Sequence, residues 1–167
     1  MVKVKSYANI AIVKYWGKKD AEKMIPSTSS ISLTLNDMFT ETEMEFINDS
    51  DIKIAVEKEI KNRNCEDKFG DMTDLFYLNG ELQDSMHTEK ISKVVDLFRE
   101  NRSQKVKIST TNNMPTAAGL SSSSSGLSAV IKACNKLFGK NYTQSELAQI
   151  SKFGSGSSSR SFFGPIA

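Results

Sequence analysis

A run of small residues that leads directly into an apolar helical pattern restricts the fold of this chain more than any other feature. Residues 115–126 read PTAAGLSSSSSG. Pro115 is expected to end a preceding strand, and Gly119 lets the backbone approach a ligand closely because it has no Cβ. The apolar positions that recur at about 3.6-residue spacing are Leu120, Leu127, Val130, Ile131, Cys134, Leu137 and Phe138. The pattern therefore predicts a loop followed by an amphipathic helix.

The start of this predicted helix has the properties of a phosphate site. The first N–H groups of a helix have no partner within the helix, and the helix dipole places roughly half a positive charge there. Serine hydroxyls can add hydrogen bonds to an anion or hold a bound cation. Consecutive serines are unfavourable inside a helix because their side chains compete for backbone hydrogen bonds. A flexible serine-rich linker is the alternative, but a linker has no reason to continue as a periodic apolar helix.

Composition and charge exclude several classes of protein. The 167 residues suffice for one domain with one core, and a net charge of +2 with 25% charged residues indicates neither a nucleic-acid-binding nor a membrane-binding surface. No segment approaches the roughly 20 apolar residues of a membrane span, and the N-terminus lacks an apolar signal core, so we expect a cytoplasmic protein. The single histidine, His87, and the two cysteines, Cys65 and Cys134, do not have metal-ligand spacing.

Two further stretches are candidate anion sites. Residues 4–13 read as a strand that would deliver Lys14, Tyr15, Lys18 and Lys19 to its end, where two or more ammonium groups and a phenol hydroxyl could converge. A solvated basic turn is an equally good interpretation of that segment. Residues 153–167 form a second small-residue loop with Arg160 as its only formal charge. Arginine offers a planar fork to phosphate or carboxylate, although a surface arginine in a flexible tail is the alternative.

The remaining patterns predict an α+β domain. Alternation over 31–36 and 39–47 indicates a hairpin that turns near Asn36-Asp37, and Asn79-Gly80 after Leu75–Leu78 is a strong hairpin signal. Thr143 and Glu146 have the spacing of a capping box at the start of a helix. The other predictions are a strand over 52–56, an exposed loop or partly helical insertion over 57–74, an amphipathic helix over 88–101 and a strand over 105–111.

The three polar stretches together resemble a known family. Neither G-x-x-x-x-G-K-[ST] nor G-x-G-x-x-G is present, but residues 115–126 resemble the P-x-x-x-G-L-x-S-S-x-[SA] phosphate loop of the GHMP kinases, a superfamily that includes galactokinase, homoserine kinase, mevalonate kinase and phosphomevalonate kinase. Residues 9–18 and 154–161 are similar to signatures of the mevalonate diphosphate decarboxylase family. The resemblance implies a GHMP kinase N-terminal domain, with a two-layer, ribosomal-protein-domain-like arrangement of a mixed sheet and helices packed on one face.

The same resemblance implies the reaction and its ligands. Members of the family use ATP and Mg²⁺ to phosphorylate the tertiary hydroxyl of mevalonate 5-diphosphate, which then loses phosphate and carbon dioxide to give isopentenyl diphosphate. Arg160 would engage the substrate carboxylate. The other implied substrate-binding residues are Asn9, Lys14, Tyr15, Lys18, Ser155 and Ser157. The implied ATP-binding residues are Pro115, Ala117, Ala118, Gly119, Leu120, Ser121, Ser122, Ser123 and Ser124, with Ser122 also a candidate ligand of Mg²⁺.

The resemblance covers only one part of a family member. Members continue past the position of Ala167 into a second domain that supplies a catalytic aspartate, so residues 1–167 are expected to be the N-terminal, ATP-binding domain and to be inactive alone. Members are often dimeric, which makes a homodimer a further expectation. Two alternatives stay open: another GHMP kinase that acts on mevalonate or phosphomevalonate, and a non-catalytic domain that only binds nucleotide.

Overall fold

The computed structural model describes residues 1–13, 18–20, 25–63, 68–69, 72–114, 122–152, 154 and 157–166. Its strands are β1 (Val2–Val13), β2 (Lys18–Asp20), β3 (Ile25–Pro26), β4 (Ile31–Phe46), β5 (Leu75–Leu78), β6 (Glu81–Leu82) and β7 (Val106–Asn112). Its helices are α1 (Asp49–Arg63), α2 (Ser85–Val95), α3 (Ser122–Leu137) and α4 (Gln144–Ser151), followed by a 3₁₀ helix (Ser158–Phe162). Along these described segments, no helix combines the length and the apolar character that crossing a membrane would require.

The main sheet is mixed and has five strands. Their order is β1-β4-β7-β5-β6, while β2 and β3 form a separate two-stranded sheet. Among the described strands, β5 and β7 run parallel and the other pairs are antiparallel. β7 pairs with β4 only over residues 40–46, so residues 8–13 of β1 and 31–35 of β4 continue past the end of β7 as a two-stranded ribbon.

Three of the described helices, α2, α3 and α4, form a layer on one face of this sheet, as the family resemblance implies. The buried side chains of α2, α3 and α4 join those of β4, β5 and β7 in the main hydrophobic cluster. Its fully or largely buried members include Met44, Phe76, Val95, Phe98, Val106, Ile108, Val130, Ile131, Cys134 and Leu147. The predicted α+β fold is confirmed, and the buried position of Cys134 makes it a core residue rather than a ligand.

A second, smaller cluster lies on the other side of β5 and contains α1. Residues 52–56 were expected to form a strand, and this prediction is wrong because they lie inside α1. Ile52 is buried there with Phe69, Leu75 and Leu82, and Val56 packs beside it at helical spacing. The partly helical alternative for residues 57–74 is confirmed, since α1 extends to Arg63, but the description of that segment as exposed is wrong for Phe69 and Asp74, which are both buried.

A reciprocal pair of hydrogen bonds starts α1 and explains why the strand prediction failed. The backbone N–H of Asp51 donates to Asn48 Oδ1 over 3.1 Å, and the N–H of Asn48 donates to Asp51 Oδ2 over 3.0 Å. This arrangement matches a capping box with Asn and Asp in place of the usual Ser/Thr and Glu/Gln. The sequence contained this start signal, but the short run of β-branched residues that follows it favoured the strand interpretation.

The predicted hairpin at Asn36-Asp37 is also wrong, because β4 is one continuous strand. Its register with β1 shifts there: Tyr7 pairs with Phe39, whereas the next residue, Ala8, pairs with Leu35. The extra residues of β4 form a bulge that Asn113 stabilises, since its Oδ1 accepts from the Phe39 N–H and its Nδ2 donates to the Asp37 carbonyl, each over 2.7 Å. Asn113 is distant in the sequence, so local alternation could not separate a bulge from a turn.

Most other element predictions are confirmed. The first strand begins slightly earlier than expected, and β5–β6 turns at Asn79 and Gly80, which both have positive φ angles of 51° and 87°. The predicted helix over 88–101 starts at Ser85 after the cap residue Asp84 and ends at Val95. It ends early because the chain turns there and brings Arg99 onto the buried carboxylate of Asp74, with 3.0 Å between Nη1 and Oδ1.

The capping box of α4 gives a prediction about Glu146. Its carboxylate accepts hydrogen bonds from the backbone N–H and the hydroxyl of Thr143, and both bonds lower the pKa of Glu146. A lowered pKa means that the associated stabilisation exists above the unfolded-state pKa and is lost as pH falls through the folded-state value. Thr143→Ala should therefore raise the pKa of Glu146 towards its ordinary value in an NMR pH titration. Ser145→Ala is the matched control, and equal shifts in both variants would contradict the assignment.

Candidate functional site

The start of α3 is the structural centre of the candidate site. Ser122 is the first residue of this 16-residue helix, and the first turn contains no acidic residue. Ser122 to Ser125 therefore form the first turn of the helix, as the sequence predicts, where the helix dipole favours an anion. Ser123 is exposed at this position, whereas Ser124 and Ser125 are buried.

A largely apolar cavity of about 300 Å³ lies directly beside the start of α3. It is lined by Phe76, Leu78, Ile91, Ser123, Leu127 and Val130, with Thr110, Asn112 and Gly126 completing the wall. The cavity lies between α2, α3 and the strands β5 and β7. An apolar pocket with a few polar groups at one end, next to a helix N-terminus, has the chemistry needed for a ligand that carries both a flat ring and phosphates.

The two small-residue loops meet at a pair of serines. Ser124 at the start of α3 and Ser157 before the 3₁₀ helix are joined through their hydroxyl oxygens, which are 2.5 Å apart. Ser158, the next residue, is buried and donates to the carbonyl of Ser151 at the end of α4 over 3.1 Å. The structure therefore brings together one predicted ATP-binding residue, Ser124, and one predicted substrate-binding residue, Ser157.

Arg160 lies in the 3₁₀ helix and is oriented by two residues from the start of the chain. Its Nε donates to Asn9 Oδ1 over 3.2 Å, and its Nη1 donates to Ser30 Oγ over 3.2 Å. Asn9 is buried in β1, and its Nδ2 donates to Ser161 Oγ over 2.7 Å, so its amide is held at both ends. Within the described part of the chain, no carboxylate pairs with the half-buried Arg160.

This arrangement favours a ligand function for Arg160 over the flexible-tail alternative. Its guanidinium is fixed by two neutral acceptors, which leave its positive charge uncompensated by the described residues. A charge that is positioned but not neutralised can pair with an external anion at a small ordering cost. The site can therefore bind two anionic groups, one at the Arg160 guanidinium and one at the N-terminus of α3.

Several predicted site residues belong to segments other than the described ones. Lys14, Tyr15, Pro115, Ala117, Ala118, Gly119, Leu120, Ser121 and Ser155 lie outside the described residues, as does Cys65. Lys18 in β2 and Ser122 in α3 have described backbones, but their side chains are not described. Among the side chains that are described, no three His, Cys, Asp or Glu residues group in a way that could hold a metal ion.

Sequence reasoning missed three residues that support Arg160. The sequence analysis singled out none of Ser30, Ser161 and Lys132. Lys132 Nζ donates to the carbonyl of Ser161 over 3.2 Å, and burial lowers the pKa of this lysine. A signal for Lys132 was present, since Ser125, Ser128 and Lys132 share one face of α3 at i, i+3, i+7 spacing.

Comparison with known proteins assigns the family. The model of the diphosphomevalonate decarboxylase-like N-terminal domain matches the chain over residues 6–73 and 67–167, which together cover nearly all of it. The chain belongs to this family. The resemblance inferred from the three motifs and the fold predicted from it, a GHMP kinase N-terminal domain, are thereby confirmed.

Curated relatives of this diphosphomevalonate decarboxylase-like domain include two yeast enzymes. The diphosphomevalonate decarboxylase of Schizosaccharomyces pombe is 31% identical over 175 residues, which cover 96% of this chain and 40% of the relative. That of Saccharomyces cerevisiae is 36% identical over 171 residues, covering 93% of this chain and 38% of the relative. The chain thus spans less than half the length of these relatives.

Solved structures give the same result. Mevalonate pyrophosphate decarboxylase from Streptococcus pyogenes is 54% identical with a TM-score of 0.79, covering 99% of this chain and 46% of that structure. A structure described as MDDEF in complex with MVAPP, AMPPCP and magnesium is 36% identical with a TM-score of 0.74, covering 98% of this chain and 44% of that structure. The relatives of this domain therefore include a protein solved with an ATP analogue and magnesium.

Proposed function

We propose that this domain binds ATP and mevalonate 5-diphosphate and forms the N-terminal part of an ATP-dependent decarboxylase that produces isopentenyl diphosphate. The observation that carries this proposal is the geometry of Arg160, which Asn9 and Ser30 orient and which no described carboxylate neutralises. The complex of a relative with MVAPP, AMPPCP and magnesium supports the choice of ligands.

Separate parts of the site would bind the phosphates and the nucleoside of ATP, and the carboxylate and the diphosphate of mevalonate 5-diphosphate. The N-terminus of α3 would hold the ATP phosphates, and the adjacent 300 Å³ cavity would hold the nucleoside. Arg160 would hold the carboxylate of mevalonate 5-diphosphate. Lys14, Tyr15 and Lys18, with Ser155 and Ser157, are proposed to bind its diphosphate. The hydrogen bond between Ser124 and Ser157 would keep the two small-residue loops, 115–126 and 153–167, in contact.

Magnesium fits this site only with help from the nucleotide. The described residues at the start of α3 provide hydroxyl and backbone groups but no acidic residue in the first turn. Mg²⁺ prefers oxygen ligands and is commonly held by substrate phosphates together with few protein groups. The ion would neutralise phosphate charge during transfer of the terminal phosphoryl group. Ser122 remains the proposed protein ligand.

The contribution of the described residues to the reaction is positioning. The substrate hydroxyl must accept the phosphoryl group, and the substrate must then lose phosphate and carbon dioxide as its carbon–carbon double bond forms. Arg160 would orient the carboxylate that leaves as carbon dioxide, and the helix N-terminus would align the phosphates. A catalytic aspartate is expected from the second domain of a longer protein, so we propose that the 167-residue chain binds both ligands but is inactive alone.

We also propose the cellular setting that these ligands imply. Nucleotide and substrate are small soluble molecules, which is consistent with a cytoplasmic enzyme of isoprenoid and lipid biosynthesis. A homodimer is part of this proposal, and sedimentation analysis would test it. Neither nucleic acid nor membrane is proposed as a partner, because the charge of the chain is nearly balanced.

Calorimetry on the 167-residue chain tests the proposed function. We expect binding of MgATP and of mevalonate 5-diphosphate, and no turnover. Failure of both ligands to bind would overturn the proposal. For a full-length relative, release of ADP, phosphate and carbon dioxide is expected. Release of ADP with phosphorylated mevalonate but without carbon dioxide would instead support a GHMP kinase that acts on mevalonate or phosphomevalonate.

Substitution of Gly126 tests the nucleoside cavity. A Cβ built at Gly126 meets nothing within 4 Å, and this glycine lines the cavity. The leucine of Gly126→Leu should therefore extend from an unobstructed Cβ into the cavity and weaken MgATP binding at least about tenfold, since a methylene-sized change in an apolar pocket is worth roughly 1 to 3 kcal/mol. Gly126→Ala is the matched control and should bind MgATP nearly as well as the original chain. Unchanged affinity in Gly126→Leu would place the nucleoside elsewhere.

A further inference from the structure

A stripe of polar side chains separates α3 from β1 and β4. Ser125 Oγ lies 2.8 Å from Thr40 Oγ1, and Ser128 Oγ lies 2.6 Å from Ser6 Oγ. Lys132, one turn further along the same face, ends the stripe. Apart from Lys132, all of these side chains are neutral and buried. The stripe is therefore an uncharged hydrogen-bonded seam that ends in one cation.

Lys132 holds the segment that carries Arg160. Its Nζ donates to Ser6 Oγ and to the carbonyl oxygen of Ser161, each over 3.2 Å, and lies 5.3 Å from the centre of the Phe162 ring. Ser6 Oγ itself donates to the same Ser161 carbonyl over 3.2 Å. The residue that follows Arg160 is thus fixed by two donors, while the ring of Phe162 packs against the ammonium group.

A continuous series of hydrogen bonds runs from Lys132 to the guanidinium. The carbonyl of Ser161 accepts from Lys132, and the hydroxyl of the same Ser161 accepts from Asn9 Nδ2 over 2.7 Å. Asn9 Oδ1 then accepts from Arg160 Nε over 3.2 Å. A single 3₁₀ turn has weak internal hydrogen bonds, so contacts outside the turn must set the direction of Arg160.

Burial of the Lys132 ammonium group reduces the stability of the fold, so stability does not explain a lysine at this position. The side chain is more than half removed from water, and no described carboxylate forms an ion pair with it. Burial accordingly lowers the pKa of its amine. An apolar side chain such as methionine could pack against Phe162 without this cost. What methionine could not supply is the pair of donors to Ser6 and Ser161.

We propose that Lys132 is a positioning residue: by fixing the Ser161 carbonyl it holds Asn9 and, through Asn9, sets the orientation in which Arg160 meets the substrate. The hydrogen bonds from Lys132 to Ser161, and between Ser161, Asn9 and Arg160, support the orientation of Arg160 by Lys132. The contact between Arg160 and a carboxylate rests on the proposed function.

Side-chain hydrogen exchange in the ligand-free chain tests the positioning itself. NMR signals of the Arg160 Nε–H and the Asn9 side-chain amide are compared in the original chain, in Lys132→Met and in Lys132→Arg. We expect exchange of both groups to accelerate at least about tenfold in Lys132→Met and to be partly restored in Lys132→Arg. Lys136→Met, at an exposed position one turn later on α3, is the matched control and should change neither signal. Unchanged exchange in a folded Lys132→Met would overturn the proposal.

A shorter apolar variant without a hydrogen-bond donor, Lys132→Leu, serves if Lys132→Met does not fold, and its exchange is read in the same way.

Binding then separates this inference from the proposed function. The original chain should prefer mevalonate 5-diphosphate over isopentenyl diphosphate, which lacks the carboxylate, and Lys132→Met should lose most of that preference. If the original chain binds both diphosphates equally well, the contact between Arg160 and the carboxylate is overturned. The exchange experiment then decides whether Lys132 positions Arg160. A preference retained by Lys132→Met would overturn the positioning.

Discussion

Arg160→Ala is expected to weaken binding of mevalonate 5-diphosphate by about 10- to 150-fold, because a hydrogen bond to a charged group contributes roughly 1.5 to 3 kcal/mol. In a full-length relative, substitution of the equivalent arginine should abolish most turnover. Binding of MgATP should stay nearly unchanged, since the nucleotide is assigned to the start of α3 and its adjacent cavity. Calorimetry with each ligand separately measures both effects.

Two further variants make this result specific. Arg160→Lys keeps the charge but loses the planar fork, so its affinity for mevalonate 5-diphosphate should lie between those of Arg160→Ala and the original chain. Arg102→Ala removes an exposed arginine that pairs with Asp96 and Glu89, and it should alter neither ligand's affinity. Equal losses of nucleotide and substrate binding in Arg160→Ala would show that Arg160 does not act on the carboxylate.

Asp74→Asn is expected to be the most destabilising single change among the described ion pairs. Asp74 is completely buried, and its Oδ1 accepts from Arg99 Nη1 over 3.0 Å and from the Val106 N–H over 2.9 Å. Its Oδ2 accepts from Ser92 Oγ over 2.6 Å. Burial alone would lower the pKa of Arg99, but its bonds to Asp74 and Asp96 outweigh that effect and raise it.

Removing the Asp74 charge leaves the guanidinium of Arg99 buried with one partner fewer. Breaking a buried ion pair in this way costs roughly 3 to 5 kcal/mol. For a chain of this size each kcal/mol lowers Tm by about 2 to 4 °C, so a fall of roughly 6 to 20 °C is expected. Thermal unfolding followed by circular dichroism measures it.

Asp49→Asn is the matched control for Asp74→Asn. Asp49 also pairs with a basic residue, Lys105, but its side chain is 72% exposed. Its pKa is lowered by the hydrogen bond from Lys105, yet water screens an exposed pair, so Tm should hardly change. Similar decreases of Tm in both variants would show that burial does not distinguish the two pairs.

The sequence was most reliable where one local interaction dictates the backbone. Asn79-Gly80 gave the hairpin because both residues adopt positive φ angles, and Thr143 with Glu146 gave the start of α4 because both halves of the capping box lie within four residues. The three polar motifs gave the family, which the family match confirms. In each case the residues that determine the feature are close together in the sequence.

Sequence reasoning failed where a distant partner decides. The bulge at residues 36–38 of β4 depends on two hydrogen bonds with Asn113, one accepted from the Phe39 N–H and one donated to the Asp37 carbonyl. The alternation of apolar and polar residues does not show the register shift opposite Tyr7. In α1 the local start signal was present, but burial against Phe69 and Leu75 in the second cluster is what gives the β-branched segment its helical face. Short apolar runs are ambiguous until the surface they pack against is known.

The chemical groups of this domain can be read from its amino-acid sequence: a serine-rich helix start, an arginine in a small-residue loop, and the motifs of its family. Their arrangement relative to one another depends on the fold. In the folded chain Asn9 and Ser30 accept hydrogen bonds from Arg160, and Lys132 donates one to the Ser161 carbonyl, although these residues are far apart in the sequence. The physical reason is that the orientation of a side chain is fixed by the hydrogen bonds and packing around it, and here those partners come from β1, α3 and the loop before β4.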